Sequence, residues 1–125
     1  MSKVKVTKAE LEVLQVIWKE GPSTVRQVHN IISEKREVGY TTTLKVMQVL
    51  FEKKLLDRDT EPNSHIYSAK VAADKIQSSL LGDFVKEAFD GSTKNMVLQA
   101  LGNKKVSAEE LAEIKRFISQ LQKKK

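Results

Sequence analysis

The chain has 125 residues, of which 40% are hydrophobic and 30% charged, and these proportions are typical of a soluble globular protein. It contains no cysteine, which excludes disulfides, thiolate metal sites and cysteine nucleophiles. The net charge of +6 permits a polyanionic partner, but much of the excess lies towards the C-terminal run 123–125, which we interpret as a solvated basic end.

The sequence also lacks the features of metal sites, phosphate-binding loops, membrane spans and secretion signals. The histidines, His29 and His65, are far apart, and neither has a partner at metal-ligand spacing. The glycines occur singly, so no phosphate-binding loop is present, and no apolar run approaches the roughly 18 to 20 residues of a membrane span. The first residues lack the apolar core of a secretion signal. We therefore expect a cytoplasmic protein that is not an enzyme and has no metal, cofactor or small-molecule substrate.

The first helix is predicted to begin at Thr7, because Glu10 three residues later completes a capping box. Apolar side chains then recur at helical spacing, and Leu14 and Trp18 lie on the same stripe, which indicates a face that packs into a core. Residues 21–22, a Gly-Pro pair, end this helix.

A second helix is predicted to begin after Ser23 or Thr24, since either side chain can accept a hydrogen bond from the first turn. It should run to residue 35 or 36, before Gly39. Its inner face is formed by four apolar residues: Val25, Val28, Ile31 and Ile32.

The third helix carries the clearest functional pattern and is predicted to run from Tyr40 to about Lys54. Its buried stripe follows the i, i+3, i+4, i+7 spacing: Thr43, Val46, Met47 and Leu50. The opposite face is polar: Thr41, Lys45, Gln48 and Glu52. The first three of these side chains are short or flexible and lie in the N-terminal two-thirds of the helix, where a recognition helix meets the major groove of DNA.

After the third helix the hydrophobic pattern changes from helical to extended. Residues 55–60 and 65–69 are predicted to form two short strands, and residues 61–64 contain the Pro, Asn and Ser of a turn. Three helices followed by a β-hairpin is the order of a winged helix-turn-helix, in which the hairpin is the wing.

The rest of the chain is predicted to be helical, with one helix from about residue 72 to 89, a shorter one before Gly102, and a last one capped by Ser107 with Glu110. The last helix carries an apolar seam: Leu111, Ile114, Ile118 and Leu121. This spacing is that of helix pairing, although a core helix within one chain has the same pattern. We predict a mainly α (α+β) protein with a winged helix-turn-helix domain at 1–70 and a helical dimerisation domain at 71–125.

Several stretches together resemble the penicillinase-repressor family of bacterial transcriptional regulators, the BlaI and MecI type, which also includes copper-responsive members. The similarity extends along nearly the whole chain. The stretches that carry it are Thr7–Leu14 with Ile17 and Trp18, Tyr40–Lys45, Phe51–Leu56 and Ser64–Tyr67, and more loosely Asn95–Leu98 and Ser107–Leu111.

This resemblance implies a homodimer that binds palindromic operator DNA through the third helix and the wing. In the family, repression ends when a membrane-bound sensor protease triggers cleavage of the repressor. The positions of this sequence that match the family's DNA-contacting residues are Thr41, Thr42, Lys45 and Gln48 in the third helix and Arg58 and His65 in the wing. The residues implied in dimerisation are those of the apolar seam.

The sequence departs from the family pattern at positions that bear on DNA reading and on regulation. Val49 stands where many members have arginine, and Lys54 stands where they have the glycine that ends the helix. Gln99 and Ala100 replace the Asn-Phe pair that is cleaved in β-lactam-responsive members. Copper-responsive members use a cysteine cluster, which this chain lacks, so the inducing signal stays open.

Other interpretations of the same residues remain open at this point. Lys45 and Gln48 also fit a solubilising helix surface. The basic pairs 35–36 and 53–54 fit either phosphate contacts or helix-end cations. We expect a partly buried, neutral His29 and a surface position for His65. The alternative function is a winged-helix module for protein–protein interaction, which the acidic residues Glu52, Asp57 and Asp59 near the presumed DNA surface favour.

Overall fold

A computed structural model describes residues 5–60, 65–103 and 105–124, and this part of the chain forms six helices and three short strands. The elements in chain order are α1 (Lys8–Glu20), β1 (Ser23–Thr24), α2 (Val25–Ser33), α3 (Tyr40–Glu52), β2 (Leu56–Thr60), β3 (His65–Ala69), α4 (Ala73–Ala88), α5 (Thr93–Asn103) and α6 (Ala108–Lys123). The predicted order of helices and hairpin strands is confirmed, while the turn predicted at 61–64 lies outside the described residues. None of the described helices has the length and apolar character needed to cross a membrane.

Three helices begin with a reciprocal capping box, in which a side-chain hydroxyl accepts from the backbone N–H three residues on and that residue's side chain accepts in return. The pairs are Thr7 with Glu10 at α1, Thr24 with Gln27 at α2, and Ser107 with Glu110 at α6. Such a cap typically contributes about 1 kcal/mol to helix stability. The cap of α2 is therefore Thr24, while Ser23 donates its hydroxyl to the carbonyl of Gly21 at 2.8 Å.

The sheet has one more strand than the sequence predicted. Besides the hairpin β2–β3, the two-residue strand β1 pairs antiparallel with β3, which gives the order β1-β3-β2. Ser23 lies opposite Tyr67, and Arg58 of β2 lies opposite the same Tyr67. The sequence did not predict β1, because these two residues form a strand only through pairing with the distant β3. The wing is thereby joined to the start of α2.

The core of the winged helix lies between the three N-terminal helices and the inner face of the sheet. Its largest fully buried side chains include Leu14, Ile17, Val28, Met47, Leu50, Leu56, Tyr67 and Ile76. Trp18 packs against this cluster and is half-buried, and its indole Nε1–H donates to the backbone carbonyl of Val71 at 3.1 Å. This bond satisfies the polar atom of the indole while most of the ring packs as an apolar group.

The chain divides into two compact units, with the border between Leu81 and Gly82 inside α4. The first half of α4 belongs to the first unit, because Ile76 is fully buried in its core and Leu80 packs against it. In the second unit, neither α5 nor α6 buries a residue. The functional division into domains 1–70 and 71–125 stays a prediction.

The C-terminal end of α3 has the hydrogen bonds of a Schellman motif, with Lys54 at the position that glycine usually occupies. The N–H of Leu55 donates to the carbonyl of Leu50, and that of Lys54 to the carbonyl of Phe51, both at 3.0 Å. Lys54 has φ of 66°, in the left-handed region. A side chain there is strained because its Cβ crowds the following carbonyl oxygen. In the family that the sequence resembles, this position is glycine.

We expect Lys54→Gly to raise the free energy of unfolding by about 0.5–1 kcal/mol, because glycine adopts this conformation without the Cβ penalty. Urea denaturation followed by circular dichroism would measure the change. Lys54→Ala is the matched control: it removes the charge but keeps the Cβ, and should give no comparable gain. An equal gain in both variants would show that charge, and not backbone strain, limits stability here.

Candidate nucleic-acid interface

One face of α3 is exposed and polar. The residues that helical spacing places on it, Thr41, Lys45, Gln48 and Glu52, are all exposed, and so is Thr42, which the family resemblance adds. Thr43, Met47 and Leu50 of the opposite face are buried, and Val46 is half-buried. The predicted division of α3 into a core face and a free face is therefore confirmed. The role of the free face in binding stays a prediction.

The first turn of α3 is held by an aromatic cluster that the sequence reading did not identify. The guanidinium carbon of Arg26 lies 4.4 Å from the ring centroid of Tyr40, and the ring of His29 meets that of Tyr40 edge-on at 5.4 Å. His29 Nδ1 is also 3.0 Å from the hydroxyl of the buried Thr43. Two side chains of α2 thus fix the start of α3, and His29 is partly buried as expected.

The wing residues predicted to bind DNA have different environments. His65 is exposed at the start of β3, opposite Thr60. Arg58 is half-buried, and its guanidinium carbon lies 4.1 Å from the ring centroid of Phe51 in α3. Its neighbours Asp57 and Asp59 are exposed. Only one of the two predicted wing contacts is thus fully accessible in this conformation.

Two basic residues, Lys53 at the end of α3 and Arg36 in the connection between α2 and α3, form ion pairs with α1. Lys53, the C-cap of α3, donates from Nζ to Glu10 Oε1 at 2.7 Å and to the carbonyl of Lys5 at 3.1 Å. Arg36 donates from Nη2 to Glu12 at 2.7 Å and from Nε to both of its oxygens. These contacts occupy Arg36 and Lys53, for which the sequence left open phosphate contacts or helix-end cations.

The two carboxylates of these pairs differ in burial, and both have a lowered pKa. Burial raises the pKa of Glu10, whose residue is 6% exposed, but hydrogen bonds from Lys53 and from the backbone of Thr7 lower it by more. The hydrogen bonds from Arg36 lower the pKa of Glu12. Both groups are therefore ionised at neutral pH, and Glu10 is a buried charge that depends on its cation.

The predicted dimerisation residues lie on one side of α6, in the second unit. Leu111, Ile118 and Leu121 are 44–47% exposed, Ile114 is half-buried, and Phe117 beside them is 59% exposed. A row of large apolar side chains in contact with water is unfavourable in an isolated chain. Within the described ranges, no group of three or more His, Asp or Glu side chains is placed to hold a metal ion.

The contacts that the sequence reading missed join residues distant in sequence. One of them had a detectable signal: strand alternation puts Arg58 on the same face as the buried Leu56, which predicts an inward-facing arginine. The Tyr40 cluster had no such signal, because α2 and α3 meet only in the folded protein. The ion pair of Glu10 and Lys53 was not predicted, because the capping box alone already accounted for a glutamate at position 10.

Comparison with known proteins identifies similar regulators. The family model described as "Penicillinase repressor" matches residues 6–120. The chain is 29% identical over 114 residues to the "Transcriptional regulator BlaI" of Mycobacterium tuberculosis, which covers 90% of this chain and 82% of that protein. It is 23% identical over 121 residues to the "Penicillinase repressor" of Staphylococcus aureus, covering 97% and 96%.

Solved structures share the fold at low sequence identity. A mutant of MarR from Escherichia coli has a TM-score of 0.54 at 16% identity, covering 94% of this chain and 79% of that chain. The YusO protein from Bacillus subtilis has a TM-score of 0.51 at 19% identity, with 94% and 75% covered. These similarities confirm the predicted fold class, a mainly helical winged helix with a small sheet.

Proposed function

The chain belongs to the penicillinase repressor family of transcriptional regulators, and on that basis we propose that it is a homodimeric repressor that binds palindromic operator DNA. The observation that carries the proposal is the exposed polar face of α3, which stands opposite the core and is braced at its first turn by Arg26 and His29. Contacts of this kind restrict the position of the first turn of α3, which favours base recognition. Members of this family are repressors, not enzymes.

In the proposed complex, α3 lies in the major groove. The amide of Gln48 can pair with the N6 and N7 edge of adenine, and the ammonium of Lys45 can donate to O6 and N7 of guanine or to phosphate. Thr41 and Thr42 lie at the start of the helix, where the N-cap residue Gly39 has no side chain to cap the first turn. Backbone N–H groups there can bind a phosphate, so that this end sets the register.

The wing and the second unit complete the proposal. His65, exposed at the start of β3, is in place to contact the DNA backbone beside the major groove. The apolar row on α6 would be covered by the same row of a second copy, which gives a two-fold interface. Two recognition helices related in this way would read a palindrome.

A membrane-bound sensor protease as a further partner rests on the resemblance alone. Gln99 and Ala100, which stand in place of the family's cleaved pair, are exposed on α5. Solvent exposure would leave them accessible, but their side chains differ from those of the cleaved pair. The inducing signal is therefore not part of the proposal.

We expect Lys45→Ala to weaken operator binding about tenfold, because one base or phosphate contact per subunit is lost. The operator would first be selected from fragments of the source genome, and affinity then measured by fluorescence anisotropy over a salt series. For the wild type, log K should fall by about 0.9 per phosphate contact for each unit of log salt. The matched control is Lys19→Ala, the same change at an exposed position of α1.

Unchanged affinity in Lys45→Ala would place the recognition surface elsewhere. A wild-type protein that selects no fragment and shows no salt-dependent binding would favour the second candidate, a winged-helix module for protein–protein interaction. The observation behind that candidate is the exposed acidic group Glu52, Asp57 and Asp59 at the end of α3 and on β2. Carboxylates there repel phosphate and would suit a basic protein partner.

A further inference from the structure

The strand β2 separates its charged residues by sign. Alternation along the strand places Leu56 and Arg58 on the inner face, and burial follows it, since Leu56 is buried and Arg58 half-buried. Asp57 and Asp59 occupy the opposite face and are exposed. The outer face of this wing strand is therefore acidic, while its arginine is directed towards α3.

Arg58 packs on an aromatic ring of α3. Its guanidinium carbon is 4.1 Å from the ring centroid of Phe51, and its Nε is buried with no hydrogen-bond partner among the described residues. A partly desolvated guanidinium over an aromatic face is held by cation–π attraction and by flat stacking. Lysine has no planar group and cannot reproduce the stacking.

This contact joins two elements of the proposed DNA-binding surface. Phe51 follows Gln48 by three residues on α3, and Arg58 lies in the middle of β2, so the stack fixes the wing to the end of the recognition helix. Turning Arg58 outwards to a phosphate would uncover Phe51 and give up the stacking. It would also bring the guanidinium towards the side of the strand where Asp57 and Asp59 repel DNA.

We propose that Arg58 is a positioning residue of the DNA-binding surface, which holds the wing on α3 through Phe51 and does not contact phosphate. The proposal rests on the proposed operator binding. It replaces the expectation from the family resemblance that Arg58 contacts DNA directly. Of the two wing contacts that the family resemblance implies, His65 is then the one that meets the nucleic acid.

The test compares Arg58→Lys with Arg58→Met in operator binding over a salt series. If Arg58 positions the wing, Arg58→Met weakens binding roughly three- to tenfold, and Arg58→Lys also weakens it, because an ammonium keeps part of the cation–π attraction but not the flat stacking. The slope of log K against log salt stays that of the wild type, since no phosphate contact is lost. Phe51→Leu gives a comparable loss, and the double variant with Arg58→Met loses less than the sum of the two effects.

A direct contact between Arg58 and phosphate would give a different result. If Arg58 contacts phosphate, Arg58→Lys keeps near-wild-type affinity, and Arg58→Met makes the salt slope shallower by about 0.9 for each subunit. That result would overturn the proposal. Thermal unfolding of each variant shows whether an affinity loss reflects unfolding instead.

A second measurement needs no DNA and separates this proposal from the proposed function. In the free full-length protein, Arg58→Met and Phe51→Leu should speed amide hydrogen exchange in β2 and β3 several-fold while exchange in α1 stays unchanged. Unchanged exchange in the strands would contradict the positioning role even if the wild type binds its operator. Faster exchange with no DNA binding by the wild type would refute the proposed function and leave the contact established.

Discussion

Replacing Leu111 and Ile118 together with lysine should produce a monomer and lower operator affinity by roughly 100-fold or more. Both side chains are large, apolar and nearly half exposed on α6. In the proposed dimer they are covered by the partner, so each lysine would bring a charge into an apolar interface. The monomer would bind one half-site and lose the high effective concentration of the second recognition helix.

Sedimentation velocity would measure the oligomeric state, and anisotropy with the selected operator would measure affinity. The control carries the same two lysines on the other side of the same helix, as Ala112→Lys with Gln120→Lys, where both positions are exposed. This control should stay dimeric and bind DNA normally. A dimer that survives the change at Leu111 and Ile118 would place the interface outside the α6 seam.

Removing the cation that faces Glu10 is expected to destabilise the fold more than removing an exposed surface charge. Lys53→Met keeps most of the apolar stem but leaves the buried carboxylate of Glu10 without its ammonium partner. We expect a loss of about 1–2 kcal/mol in the free energy of unfolding. This lies at the low end of the range for a charged hydrogen bond, because the Lys53 side chain is partly exposed. Urea denaturation at neutral pH measures it.

The pH dependence of this contribution follows from the lowered pKa of Glu10. A carboxyl group whose pKa is lower in the folded than in the unfolded state stabilises the protein at pH values above the group's ordinary pKa of 4.5. The contribution is lost as the pH falls through the lower pKa of the folded state. The difference in stability between wild type and Lys53→Met should therefore be full at pH 7 and shrink well below pH 4.5.

Arg36→Met is the control for this experiment. It breaks the other ion pair with α1, but Glu12 and Arg36 are both more exposed than Glu10, so water replaces the lost hydrogen bonds. A smaller loss of stability is expected. Equal losses in the two variants, or a difference for Lys53→Met that persists unchanged to pH 3, would contradict the assignment of Glu10 as a buried charge that depends on Lys53.

Local signals in the sequence predicted most of the fold. The capping boxes at Thr7 and Ser107 mark helix starts, and the change from helical to alternating spacing after Lys54 marks the wing. Such signals act within a few residues, so the sequence contains them directly. The exposed face of α3 was predictable for the same reason, because helical spacing assigns each residue to a side.

The features that were not predictable depend on tertiary contacts. Strand β1 has two residues, and only its pairing with β3 makes it a strand. Lys53 could be interpreted as a phosphate contact or a helix-end cation until the fold brought Glu10 to it. Arg58 lies at a position that matches a DNA contact of the family. Strand alternation nevertheless places it on the inner face of β2, together with Leu56.

The hydrogen bond from Trp18 to Val71 makes the indole a fluorescent probe of the connection between β3 and α4. Trp18 is the single tryptophan of the chain, and Val71 lies between the last wing strand and α4. A movement at the start of α4 would break the bond and bring water to the half-buried ring, which shifts tryptophan emission to the red. The intrinsic fluorescence of the unlabelled protein therefore reports on the segment through which the winged helix continues into its C-terminal helices.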